Sequence, residues 1–260
     1  MSTNLKEQSS LLSELTDETI PSARRLEIGD RLATMGDHRK GIGLDAGGVP
    51  DVVWCQLPHS YAIAKYPITC AQMQAFYDGS DGFRQDHWWE GLAKQKKFWE
   101  QNRYAPNLPA ENMDWYTAVA FTRWLSHKLG YEVRLPTEAE WWYAASGGDP
   151  RRIYPWGPQW NSSYANTHEA GLGRVTAVGM FPGGTAFCGA MDMGGNIWEW
   201  SINEFKTPSI TDTTSGKWKP VRGGAFYLGA NQATTTSREY FSPINQFAFT
   251  GFRLIRPTQV

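Results

Sequence analysis

Gly194-Gly195-Asn196-Ile197-Trp198-Glu199-Trp200 is the stretch on which the reading of the chain turns. Glycine admits backbone angles closed to other residues, so Gly194-Gly195-Asn196 reads as a tight turn. Two indole rings and one carboxylate follow within four residues, and rings of that size serve to pin irregular backbone. The same turn-and-ring texture runs through the chain beyond Gly147, in Tyr154-Pro155-Trp156-Gly157 and Phe181-Pro182-Gly183-Gly184. No internal repeat is visible.

Upstream the texture changes. Ala118, Val119, Phe121, Thr122, Leu125 and Leu129 share one face of a helix expected over 115–129, which Gly130 stops. Thr137-Glu138-Ala139-Glu140 has the form of a capping box and starts a second helix carrying Trp141 and Trp142. A strand is expected over 61–66, then a shorter helix over 70–77 with Thr69 as its N-cap. Residues 8–35 place Leu11, Leu12, Leu15, Ile20, Ala23, Leu26, Ile28 and Leu32 at roughly helical spacing, interrupted at Pro21 and Gly29. The segment Gly41–Gly48 is glycine-rich but lacks the spacing of a dinucleotide loop, and it reads as turns. The Trp88, Trp89 and Trp99 stretch has no assignable pattern. Helices first and a long glycine-rich half afterwards predict an α+β domain whose C-terminal half is the functional face.

Composition narrows the function. With 260 residues, 41% hydrophobic and 20% charged, the chain has the profile of a folded globular protein. Lys+Arg at 25 against Asp+Glu at 26 leaves a net charge of -1. That balance predicts no nucleic-acid partner and no attraction to anionic membranes. The abundance of rings and turn-formers, 13 Trp, 11 Tyr and 12 Phe beside 26 Gly and 15 Pro, argues for a loop-rich domain and against a helix bundle. The 3 cysteines, Cys55, Cys70 and Cys188, form no CxxC pair. Such a sparse set suits a reducing compartment, and with no apolar signal segment and no membrane-length run the expected location is cytoplasmic.

Five motifs occur in order: Arg134-Leu135-Pro136-Thr137-Glu138-Ala139-Glu140-Trp141, Tyr154-Pro155-Trp156-Gly157, Gly194–Trp200, Arg222-Gly223-Gly224-Ala225 and Gly251-Phe252-Arg253. This series resembles the formylglycine-generating-enzyme/sulfatase-modifying-factor family, over roughly residues 50–257. The resemblance implies a C-type-lectin-like α+β fold, loop-rich, with two main helices and short antiparallel strands. Residues 1–36 would be a helical arm that packs against the main domain or against a protein partner, and residues 37–260 the domain. Departures are the trimmed hairpin at Leu57-Pro58-His59-Ser60, Ala225 in place of Ser and Phe226 in place of Trp.

The resemblance also implies chemistry. Asp192, Gly195, Ile197 and Glu199 match the family's calcium loop. Ca²⁺ takes about 6 to 8 oxygens, with carboxylates here from Asp192 and Glu199 and carbonyls from Gly195 and Ile197. Asn166 and Thr167 match part of a second calcium site whose partner loop is shortened. Family enzymes oxidise a substrate cysteine with two cysteines that bind copper, thiolates being the soft ligands Cu(I) selects. The matching positions hold Leu228 and Ala233. Sulfoxide-forming relatives use iron held by histidines, but His38, His59, His87, His127 and His168 show no ligand spacing. No GxSxG, HExxH or P-loop is present. A structural calcium is expected, no copper or iron is expected, and no catalytic residue is assigned.

What remains is the stretch between Gly224 and Gly251, AFYLGANQATTTSREYFSPINQFAFT. Clustered Tyr and Phe among small polar residues have the make-up of a paratope, where rigid rings give contact area at low entropic cost. The alternative is that these rings pack the domain's own core. The layout also resembles the variable proteins of diversity-generating retroelements, whose variable region lies between RGG and GFR, here 225–251. The implied function is a non-catalytic binder of a protein or small molecule through Tyr227, Leu228, Asn231, Tyr240, Phe241, Ile244, Phe247, Phe249 and Thr250. The competing reading is a metal-dependent oxidase or hydroxylase with a rearranged site. Arg222, Gly223, Gly224, Phe252, Arg253, Trp198 and Trp200 would anchor the framework.

Overall fold

The computed structural model describes residues 3–58, 61–94 and 104–258; His59, Ser60 and Trp99 lie outside these. Helices α1 (Thr3–Glu14) and α2 (Ser22–Met35) form the N-terminal arm. The break expected at Pro21 is present, as Pro21 caps α2. Gly29 does not interrupt the helix. It is a contact point: a Cβ there would stand 2.9 Å from that of Ala177. Leu15, Ile28 and Leu32 bury against Ala177, Met180 and Phe181, while the Arg25 guanidinium donates to the Leu15 and Met180 carbonyls. The arm therefore lies on the body of the protein.

Strands β1 (Trp54–Gln56) and β2 (Tyr61–Ala64) pair antiparallel, and β2 pairs with the C-terminal β7 (Ile255–Pro257). Helices α3 (Cys70–Asp78), α4 (Trp115–Leu129) and α5 (Glu138–Ser146) follow local rules. Thr69 and Thr137 each close a capping box, and Gly130 and Gly147 end their helices in the left-handed region. Phe76, Phe121, Trp124 and Phe252 meet edge-on or tilted in the main core.

The second sheet carries the C-terminal half, in the order β5 (Arg238–Phe241), β4 (Lys219–Arg222), β3 (Trp198–Trp200), β6 (Thr250–Gly251). The β5–β4 and β4–β3 pairs are antiparallel; β3 and β6 run parallel. Between β4 and β6 the chain is mostly turns, which β4 and β3 underpin. No helix among the described residues is long and apolar enough to cross a membrane.

Candidate functional site

The framework is built around a buried charge pair. Glu199 and Arg253 both have fully buried side chains, and Arg253 Nε and Nη2 reach the two Glu199 oxygens at 2.6 Å each. Trp141 Nε1 donates to Glu199 Oε2 at 2.7 Å. The rest of the guanidinium donates to the carbonyls of Ala64, Lys65 and Met191. One arginine thus ties β2, the turn before residue 194 and β3 to the C-terminal strand, with every donor used. Arg222 ties the next layer with its two terminal nitrogens, which donate to the carbonyls of Thr235, Thr236 and Ser237, while its Nε is buried without a partner among the described residues. Glu138 on α5 holds Arg238 at 2.6 Å and lies 3.8 Å from Arg222.

That pair bears on the calcium loop. Asp192, at φ 59, is buried and accepts the Gly179 N–H at 2.6 Å. Burial pushes its carboxyl up to about 6, against the Gly179 hydrogen bond and the Arg253 charge. Glu199, expected to give an oxygen to calcium, has both oxygens on Arg253. Gly195 O accepts the Ile197 N–H at 2.9 Å. The donor set of Asp192, Gly195, Ile197 and Glu199 does not fit a calcium ion in this arrangement: a guanidinium already takes the place a cation would fill at Glu199. Near Asn166 the picture differs. Asn166 donates to Arg174 O and to Asn196 Oδ1, while Asn166 Oδ1 and Thr176 Oγ1 are buried without a hydrogen-bond partner among the described residues. Thr167 is committed to Glu169.

The positions matching the copper cysteines carry no donor atom. Ala233 is fully buried, and Leu228 packs half-buried against the main core. Among the described residues no three His, Cys, Asp or Glu side chains gather as a ligand set. His87 and His127 both lie against Trp88.

Leu228 aside, the expected ligand residues divide into three groups. Tyr227, Asn231, Tyr240 and Ile244 are exposed, Ile244 at 59%. Phe241, Phe247 and Phe249 form a half-buried ring cluster: Phe247 stacks on Phe249 at 5.1 Å, Tyr227 meets Phe249 at 4.9 Å, and Phe241 stands edge-on to Trp200. Phe241 and Phe249 therefore serve the core as well as the face. Thr250 is a correction. It is fully buried, pairs with Trp198 across β3 and β6, and its hydroxyl contacts the Met113 and Phe247 carbonyls. Strand pairing removes it from any ligand surface.

The sequence reading missed the residues beside Tyr240. Phe205 lies 4.1 Å from the Tyr240 ring and Trp218 lies 4.9 Å from it. With Glu204, Lys206 and Lys217 they line a cavity of about 450 Å³. Trp218 is 55% exposed and Lys217 pairs with Glu204 at 3.3 Å. An exposed Trp between two lysines was the available signal. Cys55 and Cys188 were also missed as a pair: far apart in sequence, they pack on one cluster, with Cys55 Sγ against Gly189 next to Cys188.

The loop-rich α+β domain with this framework has the C-type-lectin-like fold. The chain belongs to the sulfatase-modifying factor enzyme 1-like domain family, which it matches over residues 17–258. Hercynine oxygenase of Mycolicibacterium thermoresistibile is 29% identical over 234 residues, 75% of this chain and 50% of that protein. The chain spans about half the length of the curated relatives it matches. PvdO from Pseudomonas aeruginosa superposes with a TM-score of 0.60 at 24% identity, covering 76% of this chain and 80% of PvdO. Treponema denticola variable protein 1 gives 0.57 at 20% identity, covering 84% and 94% respectively. At these identities the two structures speak for the fold.

Proposed function

We propose that this chain is a non-catalytic ligand-binding member of its family, a retroelement-diversified variable protein whose binding face is centred on Tyr227, Asn231, Tyr240, Ile244, Phe247 and Phe249. One observation carries the reading. Where the family's enzymes place two copper-binding cysteines, this chain has Leu228 and Ala233, while the segment around them turns rings outward. Rings held by a rigid framework bind with little loss of side-chain entropy. The cavity at Phe205, Trp218 and Tyr240 extends the face with an apolar floor and a charged rim. The ligand is a protein or small molecule with an apolar anchor.

Deep sequencing of the gene's 3′ end across a growing population and related isolates tests the reading. Substitutions confined to adenine-derived positions in codons 227–249 are expected; a uniform sequence there removes the retroelement reading. The second reading, a metal-dependent oxidase or hydroxylase, is favoured by the 29% identity to hercynine oxygenase. Copper or iron at one equivalent in protein purified without added metal would select it.

A further inference from the structure

Away from the ring-bearing face, β1 carries Cys55 opposite Ile63 of β2, and a tight turn closed by the Ala186 N–H to the Ala190 carbonyl carries Cys188. Both sulfurs pack on the cluster containing Ile63, Trp141, Met193 and Ile255. A Cβ on Gly189, next to Cys188, would stand 3.7 Å from Cys55 Sγ, so the first thiol lies against the backbone that holds the second. That contact and the shared cluster bring the two cysteines together, and both residues are half-buried, within reach of a small solute. Cys70, by contrast, is fully buried beside the Pro109 carbonyl.

We propose that Cys55 and Cys188 form a redox-active dithiol, the site at which a hydroperoxide oxidises this chain to an intrachain disulfide. The Cys55 thiolate attacks the peroxide's outer oxygen; the O–O bond breaks, the alcohol or water leaves with a proton, and Cys55 becomes a sulfenic acid. Cys188 sulfur then attacks Cys55 sulfur, the S–O bond breaks, and the hydroxyl departs as water with the Cys188 proton. Two thiols lose two electrons in all and the peroxide gains them.

The surroundings divide the roles. The Cys188 hydrogen bond, and then the Arg253 and Lys65 charges, pull the Cys55 thiol down to about 7 against the effect of burial. The bond to Cys55 and burial push Cys188 up. Tyr61 also faces Cys188, with Glu140 and Tyr143 of the packed helix acting on Tyr61. The arrangement gives one attacking thiolate and one resolving thiol. Nearby cations favour the anion and oppose a bound metal ion.

The test takes the full chain, reduced and desalted, and adds hydrogen peroxide near stoichiometric amounts at neutral pH. Alkylation and peptide mapping should find Cys55 joined to Cys188, Cys70 free, and the intact mass lower by two hydrogens. In Cys188→Ser, dimedone should trap a sulfenic acid on Cys55, and in the wild type the rate of Cys55 alkylation should be half-maximal near pH about 7. Three free thiols surviving in the wild type would overturn the proposal. So would a Cys55 rate that climbs past pH ~8.5 like that of an ordinary thiol, or oxidation beyond the sulfenic acid without cross-linking.

Discussion

Tyr240 lies on β5 at one edge of the four-stranded sheet, Arg253 follows β6 at the other edge, and the two show opposite designs. Arg253, just past β6, is fully buried with every donor matched to an acceptor. Tyr240, on β5, exposes 37% of its surface and packs its ring against Phe205 and Trp218 at the rim of a cavity. A fully satisfied polar network in a low-dielectric interior fixes one arrangement, because any other leaves charge unpaired. The Tyr240 ring carries no such obligation. The difference shows how a fold can hold its shape while its face changes.

The most severe way to break that comparison is Glu199→Gln, which leaves the Arg253 guanidinium buried without its counter-charge. Removing one partner of a buried pair costs about 3–5 kcal/mol, and chemical denaturation should show a loss of that size. A loss under about 1 kcal/mol would mean that the framework does not rest on this pair. Phe249→Ala comes next. Its ring is half-buried against the core, so the expected cost is about 1–3 kcal/mol, below that of a full core truncation. A negligible cost would return Phe249 to the pure ligand face expected from the sequence.

Asp192 sharpens the comparison through pH. An acid whose folded pKa is raised, here from 3.8 to about 6, binds its proton more tightly in the folded chain. Its contribution is full below pH ~4 and is lost as pH rises through about 6. Two units correspond to about 3 kcal/mol at most. Asp192→Asn keeps an acceptor for the Gly179 N–H and should gain about 1–3 kcal/mol over wild type at pH 7, a gain that vanishes near pH 4. Parallel stability–pH curves would sink this. Because Glu199 is committed to Arg253, millimolar Ca²⁺ should shift the melting temperature by less than about 0.5 °C, well under the ~2 °C that 1 kcal/mol would give in a chain of 260 residues. A larger rise, lost in Asp192→Asn, would put calcium in the loop.

What the sequence made legible was local. Caps at Thr69 and Thr137 and the stop at Gly130 depend on neighbours within a turn, and all three formed as read. The five motifs also placed the framework residues correctly, since Trp198, Trp200, Arg222 and Arg253 are all buried. What failed depended on distant partners. The carboxylate of Glu199 is visible in sequence, but Arg253, its counter-ion, arrives only when the C-terminal strand docks. Thr250 looked like the residues before it in the ring-bearing segment, but β6 pairs with β3 and buries it. Trp218 and Tyr240 meet because β4 and β5 align Pro220 with Tyr240, a register no short window reveals.

That register makes the smallest expected effect on stability the most informative about function. Tyr240→Ala and Trp218→Ala remove rings that are more than a third exposed and hold no buried polar group, so each should cost under about 1 kcal/mol. Their effect on binding should be the reverse. Central aromatic anchors contribute about 2 kcal/mol or more, roughly 30-fold in affinity, measurable with a peptide selected by display against the wild-type chain. Rim exchange at Lys206 should change the same affinity only slightly, because an exposed charge is screened. If Tyr240→Ala destabilises the fold by several kcal/mol instead, the ring stack is part of the framework. The boundary between fixed and variable would then run between β5 and the loop that follows it.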